Sequence, residues 1–200
     1  AQVLNIARWD GGRWSGLAGG VGNTVYALAS TENGSLFVGG ESSDAGVIDG
    51  ANNVARWNGT NWMVLGSGVN GTVRALLVEG REVHVGGSFT QAGGTPVMNF
   101  ARWYDDLETW ASYGETTNNG VNGNILALAG GGERLYVGGL FAPAVGPSAA
   151  TNLAAYSPGR WEVLGRGVAG RTVEGSVLAI ATSPGVVVTL DTAVMAGSAL

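Results

Sequence analysis

Short apolar runs separated by glycine-rich turns recur along the whole chain. Strict alternation divides one of them, Thr72–Val78, between two faces: Val73, Ala75 and Leu77 on one, and Arg74, Leu76 and Val78 on the other. Two largely apolar faces predict a strand that is buried on both sides. Since no apolar stripe occurs at helical spacing, the pattern predicts an all-β protein.

The apolar runs belong to a repeat that four independent columns define. Tryptophans recur at spacings of 48, 48 and 51 residues, at Trp14, Trp62, Trp110 and Trp161. Glycine doublets recur at Gly39–Gly40, Gly86–Gly87 and Gly138–Gly139. The patterns NIARW, NVARW, NFARW and NLAAY end at Trp9, Trp57, Trp103 and Tyr156, and the strands VYALA, VRALL, ILALA and VLAIA begin at Val25, Val73, Ile125 and Val177. A period of about 48 residues is typical of solenoids, propellers and arrays.

Each complete repeat divides into four predicted strands. In the second repeat they are Thr72–Val78, Glu82–Ser88, Asn99–Trp103 and Trp110–Tyr113, with a polar loop at Thr90–Met98. The first repeat has Thr24–Ala29, Ser35–Gly40, Asn53–Trp57 and Trp62–Gly66, and the third has Asn124–Ala129, Arg134–Gly139, Asn152–Tyr156 and Trp161–Gly165. Four strands in about 40 to 50 residues are the signature of a propeller blade.

The two ends of the chain carry incomplete repeats that complement each other. Leu4–Trp9 and Trp14–Ala18 match a third and a fourth strand. Val177–Ala181 and Gly185–Leu190 match a first and a second, with Thr189–Leu190 in place of the glycine doublet. The prediction is therefore an all-β propeller of four-stranded blades, with about four blade equivalents that either close into a ring or belong to a longer propeller.

A single repeat domain is predicted at residues 1–190, with units near 1–18, 19–66, 67–113, 114–165 and 166–190, and a tail at 191–200. The net charge of −5 and the lack of a basic run argue against a nucleic-acid partner. The absence of cysteine excludes disulfides and thiolate chemistry. The apolar region Gly175–Leu200 is interrupted by Ser183-Pro184-Gly185, so no membrane insertion is predicted.

Few side chains in the sequence are candidates for catalysis. The one histidine, His84, occupies the slot that Phe37 and Tyr136 take in the other repeats, which favours packing. A single imidazole makes neither a copper site nor a nucleophile–base pair. No catalytic, cofactor or metal site is therefore predicted.

Loop carboxylates are the remaining acid–base candidates. Asp105, Asp106 and Glu108 cluster in one loop, and Asp44 and Asp49 lie in another. Paired acids hydrolyse glycosides when their spacing fits, and oxygen-rich loops bind calcium. Neither cluster has the alternate-residue spacing of a calcium loop, so solvated loops are the favoured interpretation.

Tryptophan faces stack on sugars, which makes Trp57 and Trp103 candidates for ligand stacking. Their recurrence at structural columns favours burial between sheets instead. Arg8, Arg56 and Arg102 directly precede the tryptophans that end the third strands, and they are expected to stack or pair locally.

Three N-glycosylation sequons occur in predicted turns, at Asn33, Asn58 and Asn70. A glycan would be tolerated there in a secreted protein. The alternative is that Asn-Gly followed by a hydroxyl residue reflects turn preference alone.

The motifs LFVGG, HVGGSF and LYVGG, each followed by an aromatic-ended strand, a turn and a tryptophan, resemble the kelch repeat of galactose-oxidase-like propellers. The fuller form, LGSGVNG before the first strand and VGGSFTQAGG after it, is similar to repeats of large secreted or surface proteins of microbes, including fungal cortical markers of cell polarity. The resemblance covers residues 1–182 and implies a fold without implying an activity.

The predicted function is a non-catalytic structural or protein-interaction module of an extracellular or cell-surface protein. The loops at Gly40–Asn52, Ser88–Met98 and Gly139–Thr151 would be displayed to protein partners or to further copies of the chain. The alternative is a glycan-binding lectin, and a weaker one is a glycosidase that uses the loop carboxylates.

Overall fold

The computed structural model describes residues 4–114, 119–131, 134–142, 151–157, 159–164, 176–183 and 186–191. Every regular element in these residues is a β-strand, as the alternating pattern predicts. Accordingly, the described residues include no helix that could cross a membrane. The predicted tail lies outside them, apart from Asp191.

The strands form three four-stranded antiparallel sheets and four hairpins. The N-terminal hairpin consists of β1 (Ala7–Trp9) and β2 (Trp14–Gly16). The first sheet contains β3 (Val25–Ser30), β4 (Leu36–Gly40), β7 (Val54–Trp57) and β8 (Trp62–Val64), and the hairpin β5 (Asp44–Ala45) and β6 (Ile48–Asp49) lies within its loop.

The same order returns in the following repeats. The second sheet contains β9 (Thr72–Glu79), β10 (Glu82–Ser88), β13 (Phe100–Tyr104) and β14 (Thr109–Ser112), with the loop hairpin β11 (Gln91–Ala92) and β12 (Thr95–Pro96). The third sheet contains β15 (Asn122–Gly131), β16 (Arg134–Ala142), β17 (Leu153–Ser157) and β18 (Arg160–Val163). The C-terminal hairpin consists of β19 (Val177–Ser183) and β20 (Val186–Asp191).

Each predicted strand is present, with ends shifted by a few residues, and two differences have local causes. The third strands begin one residue after Asn53, Asn99 and Asn152, because these asparagines have φ values of 69°, 60° and 63°, outside the strand region. The hairpins β5–β6 and β11–β12 lie where only loops were predicted. Two-residue strands are too short for alternation to reveal them.

A bulge in each first strand corrects the predicted faces of Thr72–Val78. Ala75 pairs with Gly86 and Val73 with Gly87, so Arg74 is an extra residue in the ladder. Val73 consequently packs in the same cluster as Leu76 and Val78, whereas Ala75 packs with Leu77 on the other face. The assignment of Val73 to the face of Ala75 was wrong, because one inserted residue reverses the alternation.

The first glycine of each doublet sets the distance between successive sheets. A Cβ at Gly39, Gly86 or Gly138 would lie only 2.3, 2.4 or 2.5 Å from Val73 Cγ1, Ile125 Cγ2 or Val177 Cγ1, respectively, in the first strand of the next sheet. The second glycine is needed within its own sheet, since a Cβ at Gly87 would lie 2.0 Å from the Thr72 carbonyl oxygen. The doublet therefore lets the bulge form and the next sheet approach.

Three apolar clusters fill the interfaces between these units. Val38 packs with Ile6 and Leu17 from the N-terminal end, Phe37 packs with Val73 and Trp103, and Phe100 packs with Ile125 and Tyr156. The strand β19 lies against β15 and β16 at the other end. The sheets are thus stacked face to face in chain order.

The asparagine and tryptophan columns join successive repeats by hydrogen bonds. Asn5, Asn53 and Asn99 donate from Nδ2 to the carbonyl oxygens of Val21, Val69 and Val121, at 2.8, 2.9 and 2.9 Å. Trp62 and Trp110 donate from Nε1 to the carbonyl oxygens of Leu17 and Leu65, at 2.8 and 2.7 Å. These side chains recur because each satisfies backbone groups of the adjoining repeat.

At the C-terminal hairpin, Ala179 pairs with Leu190 and Val177 with Asp191. The position of the glycine doublet is therefore held by Leu190–Asp191 and not, as the sequence alignment had it, by Thr189–Leu190. The bulge here is at Leu178, and Ala179 and Leu190 are separated along the chain by as many residues as Ala75 and Gly86 in the second sheet.

Candidate functional site

The described residues contain one buried cluster of titratable side chains, between the second and third sheets. His84 lies on β10 between Leu77 and Arg102 and faces the third sheet. Its Nδ1 contacts the hydroxyl of Tyr113, and its Nε2 lies 3.2 Å from Oε2 of Glu79. The neutral tautomer with a proton on Nε2 satisfies both contacts, because it donates to Glu79 and accepts from Tyr113.

Burial dominates the electrostatics of this cluster. Burial, and then the nearby Arg102 guanidinium, lower the pKa of His84 to about 4. Burial also raises the pKa of Tyr113 well above its ordinary value, and burial followed by the charge of Glu82 raises the pKa of Glu79. At neutral pH the imidazole and the phenol are therefore uncharged.

The position of His84 supports the packing interpretation. Phe37 and Tyr136 occupy the same register position in the first and third sheets, as the sequence alignment predicts. His84 and Tyr113 are both buried.

Arginines hold Asp105 and Asp106, two of the three carboxylates in the loop between β13 and β14. Asp105 Oδ2 lies 2.7 Å from Nη1 of Arg56 in the first sheet, and Asp106 Oδ2 lies 2.8 Å from Nη1 of Arg81. The hydrogen bond from Arg81 lowers the pKa of Asp106. A glycosidase acid needs the opposite shift, because it must hold a proton near neutral pH.

The other acidic loop is the hairpin β5–β6. Asp44 and Asp49 form a cross-strand pair, and Ser42 donates its hydroxyl to the Asp44 carbonyl oxygen at 2.7 Å. Within the described residues, no three His, Asp or Glu side chains converge in a way that could hold a metal ion.

The two tryptophans proposed to stack on sugars differ in accessibility. Trp103 is only 3% exposed, so it has no free face for a sugar, and this disfavours it as a stacking residue. Trp57 is partly exposed and remains a candidate. Each packs against the tryptophan of the following strand, Trp62 or Trp110, with ring centroids 5.3 or 5.4 Å apart.

The most exposed tryptophans are two that sequence reasoning did not single out. Trp9 and Trp14 are 50% and 65% exposed, although their ring centroids are 5.3 Å apart as in the other pairs. The available signal was the incomplete N-terminal repeat, which lacks the strands that cover this pair elsewhere.

The three sequon asparagines are exposed, but their amides are engaged differently. Asn70 Oδ1 accepts from the backbone N–H groups of Thr90 and Gln91, at 2.8 and 2.9 Å, and its Nδ2 donates to Thr90 Oγ1 at 2.9 Å. Glycosylation of Asn70 would disrupt this set of bonds. The Asn33 and Asn58 side-chain oxygens accept hydrogen bonds only from within their own turns. The geometry therefore favours Asn33 and Asn58 over Asn70 as glycosylation sites.

The hairpins β5–β6 and β11–β12 are anchored in the same way. Gly46 and Gly93 donate their backbone N–H to the carbonyl oxygens of Gly20 and Gly68, at 2.7 and 2.8 Å. A Cβ at either glycine would lie 2.6 or 2.4 Å from Cδ1 of Trp62 or Trp110. The fourth-strand tryptophan thus supports the hairpin of its own repeat.

The loop tips are free of these constraints. Val47, at the tip of β5–β6, is 99% exposed. A polar crevice of about 380 Å³ adjoins the hairpin β11–β12 and is lined in part by Asn52, Asn70 and Gln91. The third predicted loop, Gly139–Thr151, falls largely outside the described residues.

Comparison with known proteins gives a fold likeness without a family. No family model and no curated protein matches the chain. The crystal structure of the computationally designed Ika4 protein is similar over 90% of this chain and 93% of that chain, with a TM-score of 0.53 and 18% identity. The designed Ika8 protein matches 84% of this chain and 42% of its own, with a TM-score of 0.49 and 17% identity.

Proposed function

We propose that this chain is a kelch-like β-propeller repeat module that acts without catalysis, as a structural or protein-interaction unit of a secreted or cell-surface protein. The observation that carries the proposal is the pair of loop hairpins, which share one anchoring scheme and differ at their tips. A fixed base with variable tips suits recognition by loops on a rigid scaffold.

The base of each hairpin is rigid for identifiable reasons. Ala45 and Ala92 are buried and form bridges to Val21 and Val69. Glycine N–H groups add the hydrogen bonds described above, and a tryptophan packs beneath each hairpin. A partner that binds the tips therefore meets a surface already in place, which limits the entropy lost on binding.

The two loops also differ in chemistry. The loop around β5–β6 carries Glu41, Asp44 and Asp49 beside its uncharged tip, whereas Phe89–Asn99 has no charged residue. Each loop therefore offers a distinct surface, acidic in one repeat and neutral in the next. An acidic loop favours a basic patch on its partner.

Site-specific cross-linking tests the interaction role. A photo-cross-linking residue at Val47 is expected to capture a protein partner in the native source. The same residue at Leu107, which is 67% exposed and lies outside the three displayed loops, is the matched control. Equal capture at both positions, or none at Val47, would refute display by the loops.

The glycan-binding alternative draws on the polar crevice, because amide side chains hydrogen-bond to sugar hydroxyls. A glycan array distinguishes the two functions. Saccharide binding that is lost in Trp57→Ala, with the fold intact, would replace the protein-interaction role. Trp103→Ala serves as the comparison, since its ring is buried and its loss acts on the fold.

The glycosidase alternative is tested by turnover of a chromogenic glycoside. Activity that disappears in Asp105→Asn or Asp106→Asn would establish it. We expect no turnover, because both carboxylates are paired with arginines.

A further inference from the structure

The N-terminal hairpin is the outer half of a sheet. Trp9 pairs with Trp14 in the register that Trp57 and Trp62 have in the first sheet, so β1 and β2 correspond to third and fourth strands. In the part of the chain that the structure describes, β1 pairs only with β2. Its other edge is where a second strand would pair.

The described strands leave apolar surface uncovered on the first sheet. Leu28 on β3 is 54% exposed, whereas the equivalent Leu76 and Leu128 pack into the clusters between sheets. Val25 is likewise only partly buried, although Val73 and Ile125 are fully buried at the same position. The uncovered surface lies where two further strands would pack.

The C-terminal hairpin is the complementary half. Its strands β19 and β20 correspond to a first and a second strand, with the bulge at Leu178 in the usual place. One face is closed, since Val177 is fully buried against Gly138. On the other face Ala179 and Ala181 are exposed, where Ala127 and Ala129 of β15 are buried.

We propose that a second copy of this chain completes both half-sheets. The C-terminal hairpin of one copy lies beside β1 of the other and covers Leu28, and the reciprocal contact forms at the same time. The interface continues the packing already present between successive sheets, with the same strand positions on each side. A two-fold pair uses both ends at once and leaves neither edge open.

A second copy carries the matching strands, and the chain's own C-terminal hairpin is engaged elsewhere. Contacts with β15 and β16 hold β19 at the far end of the stack. There its outer face stays exposed while Leu28 stays uncovered. The described chain is therefore an open stack with complementary ends. This inference does not depend on what the loops bind.

Light scattering coupled to size exclusion tests the pairing. At micromolar concentration the mass is expected to be twice the 20.2 kDa of one chain. Leu28→Glu should weaken the dimer by more than about 100-fold, because a carboxylate would be buried without a partner. Leu140→Glu, at a leucine that is 53% exposed, is the matched control and should stay dimeric.

A second variant keeps the test decisive if Leu28→Glu fails to fold. Ala181→Arg blocks the other end and should also give monomers. A mixture of the two variants then retains one intact junction and should recover a heterodimer. A monomeric wild type, a dimer that survives Leu28→Glu, or a mixture that stays monomeric would each overturn the proposal.

Discussion

Two tryptophan pairs with the same local geometry have very different surroundings. Trp9–Trp14 and Trp103–Trp110 share register and ring separation, yet the first pair is at least half exposed and the second is almost fully buried. Only the second has a loop hairpin beneath it, with Gly93 against Trp110. The pairing is a property of the sequence motif, whereas burial is contributed by the neighbouring strands.

The largest expected effect follows from that contrast. Trp110→Ala should lower the free energy of unfolding by about 3 to 5 kcal/mol, since it removes a large buried ring and the bond to the Leu65 carbonyl oxygen. Trp14→Ala should change it by less than about 0.5 kcal/mol in the monomer. Urea unfolding of both variants measures this. Equal losses would mean that the N-terminal pair is covered in solution.

The next effect is a pH dependence that comes from the second repeat, which contains His84. The pKa of His84 is about 4 in the folded chain against an ordinary value of 6.5, so unfolding takes up a proton between these values. Stability should therefore fall as the pH falls from 6.5 towards 4, by at most about 3 kcal/mol from this residue. Above pH 6.5 His84 is neutral in both the folded and the unfolded chain, so it adds no further pH dependence.

His84→Phe, which copies Phe37, should flatten that pH dependence. Denaturant unfolding at pH 7 and pH 4.5 measures the difference in slope from the wild type. The raised pKa of Glu79 acts in the opposite direction, because its protonated form is favoured by folding. The comparison with wild type therefore matters more than either curve alone. Identical slopes would contradict the buried neutral histidine.

A smaller effect is expected at the glycine that spaces the sheets. Gly86→Ala should cost about 1 to 3 kcal/mol, because the added methyl meets Ile125 and forces the interface apart. Gly12→Ala in the N-terminal hairpin is the control, since its nearest contact would be 3.9 Å away. Thermal unfolding of both variants would sharpen the contrast, and a neutral Gly86→Ala would show that the interface yields easily.

The smallest effect is expected in the asparagine column, where the N-terminal hairpin and the interior repeats make the same hydrogen bond. Asn5 and Asn53 both have positive φ and both donate to a valine carbonyl oxygen. Replacement of either by alanine should cost about 1 kcal/mol through the lost bond. Unfolding measurements that differ by more than that amount would show that burial, and not the bond, determines the role of this column.

Most strands and their order could be predicted from the sequence, but the faces of the first strands and the exposure of the N-terminal hairpin could not. The strands, their order and the shared slot of Phe37, His84 and Tyr136 followed from alternation and from the repeat columns. The face of Val73 did not, because a bulge depends on pairing with Gly86–Gly87 and not on local pattern. The exposure of Trp9 also escaped prediction, since it depends on strands that lie elsewhere in space.

The residues of the candidate site could be picked out in the sequence, but their partners could not. A single histidine at a packing position and carboxylates in loops were visible in the sequence. Their arginine partners, Arg56 and Arg81, are 49 and 25 residues away along the chain. The contact of Arg56 depends on how two sheets stack, and that of Arg81 on the strand order within the second sheet.

The first glycine of each doublet, which lies against the next sheet, has a consequence for how such a chain can lengthen. Each interior repeat carries both halves of the joint, a glycine in its second strand and a branched residue in its first. Duplication of a whole repeat within the gene therefore copies a complete joint, and any repeat fits after any other. Growth of the stack needs no new core, and a single codon that replaces this glycine with a larger residue changes the spacing at that boundary alone.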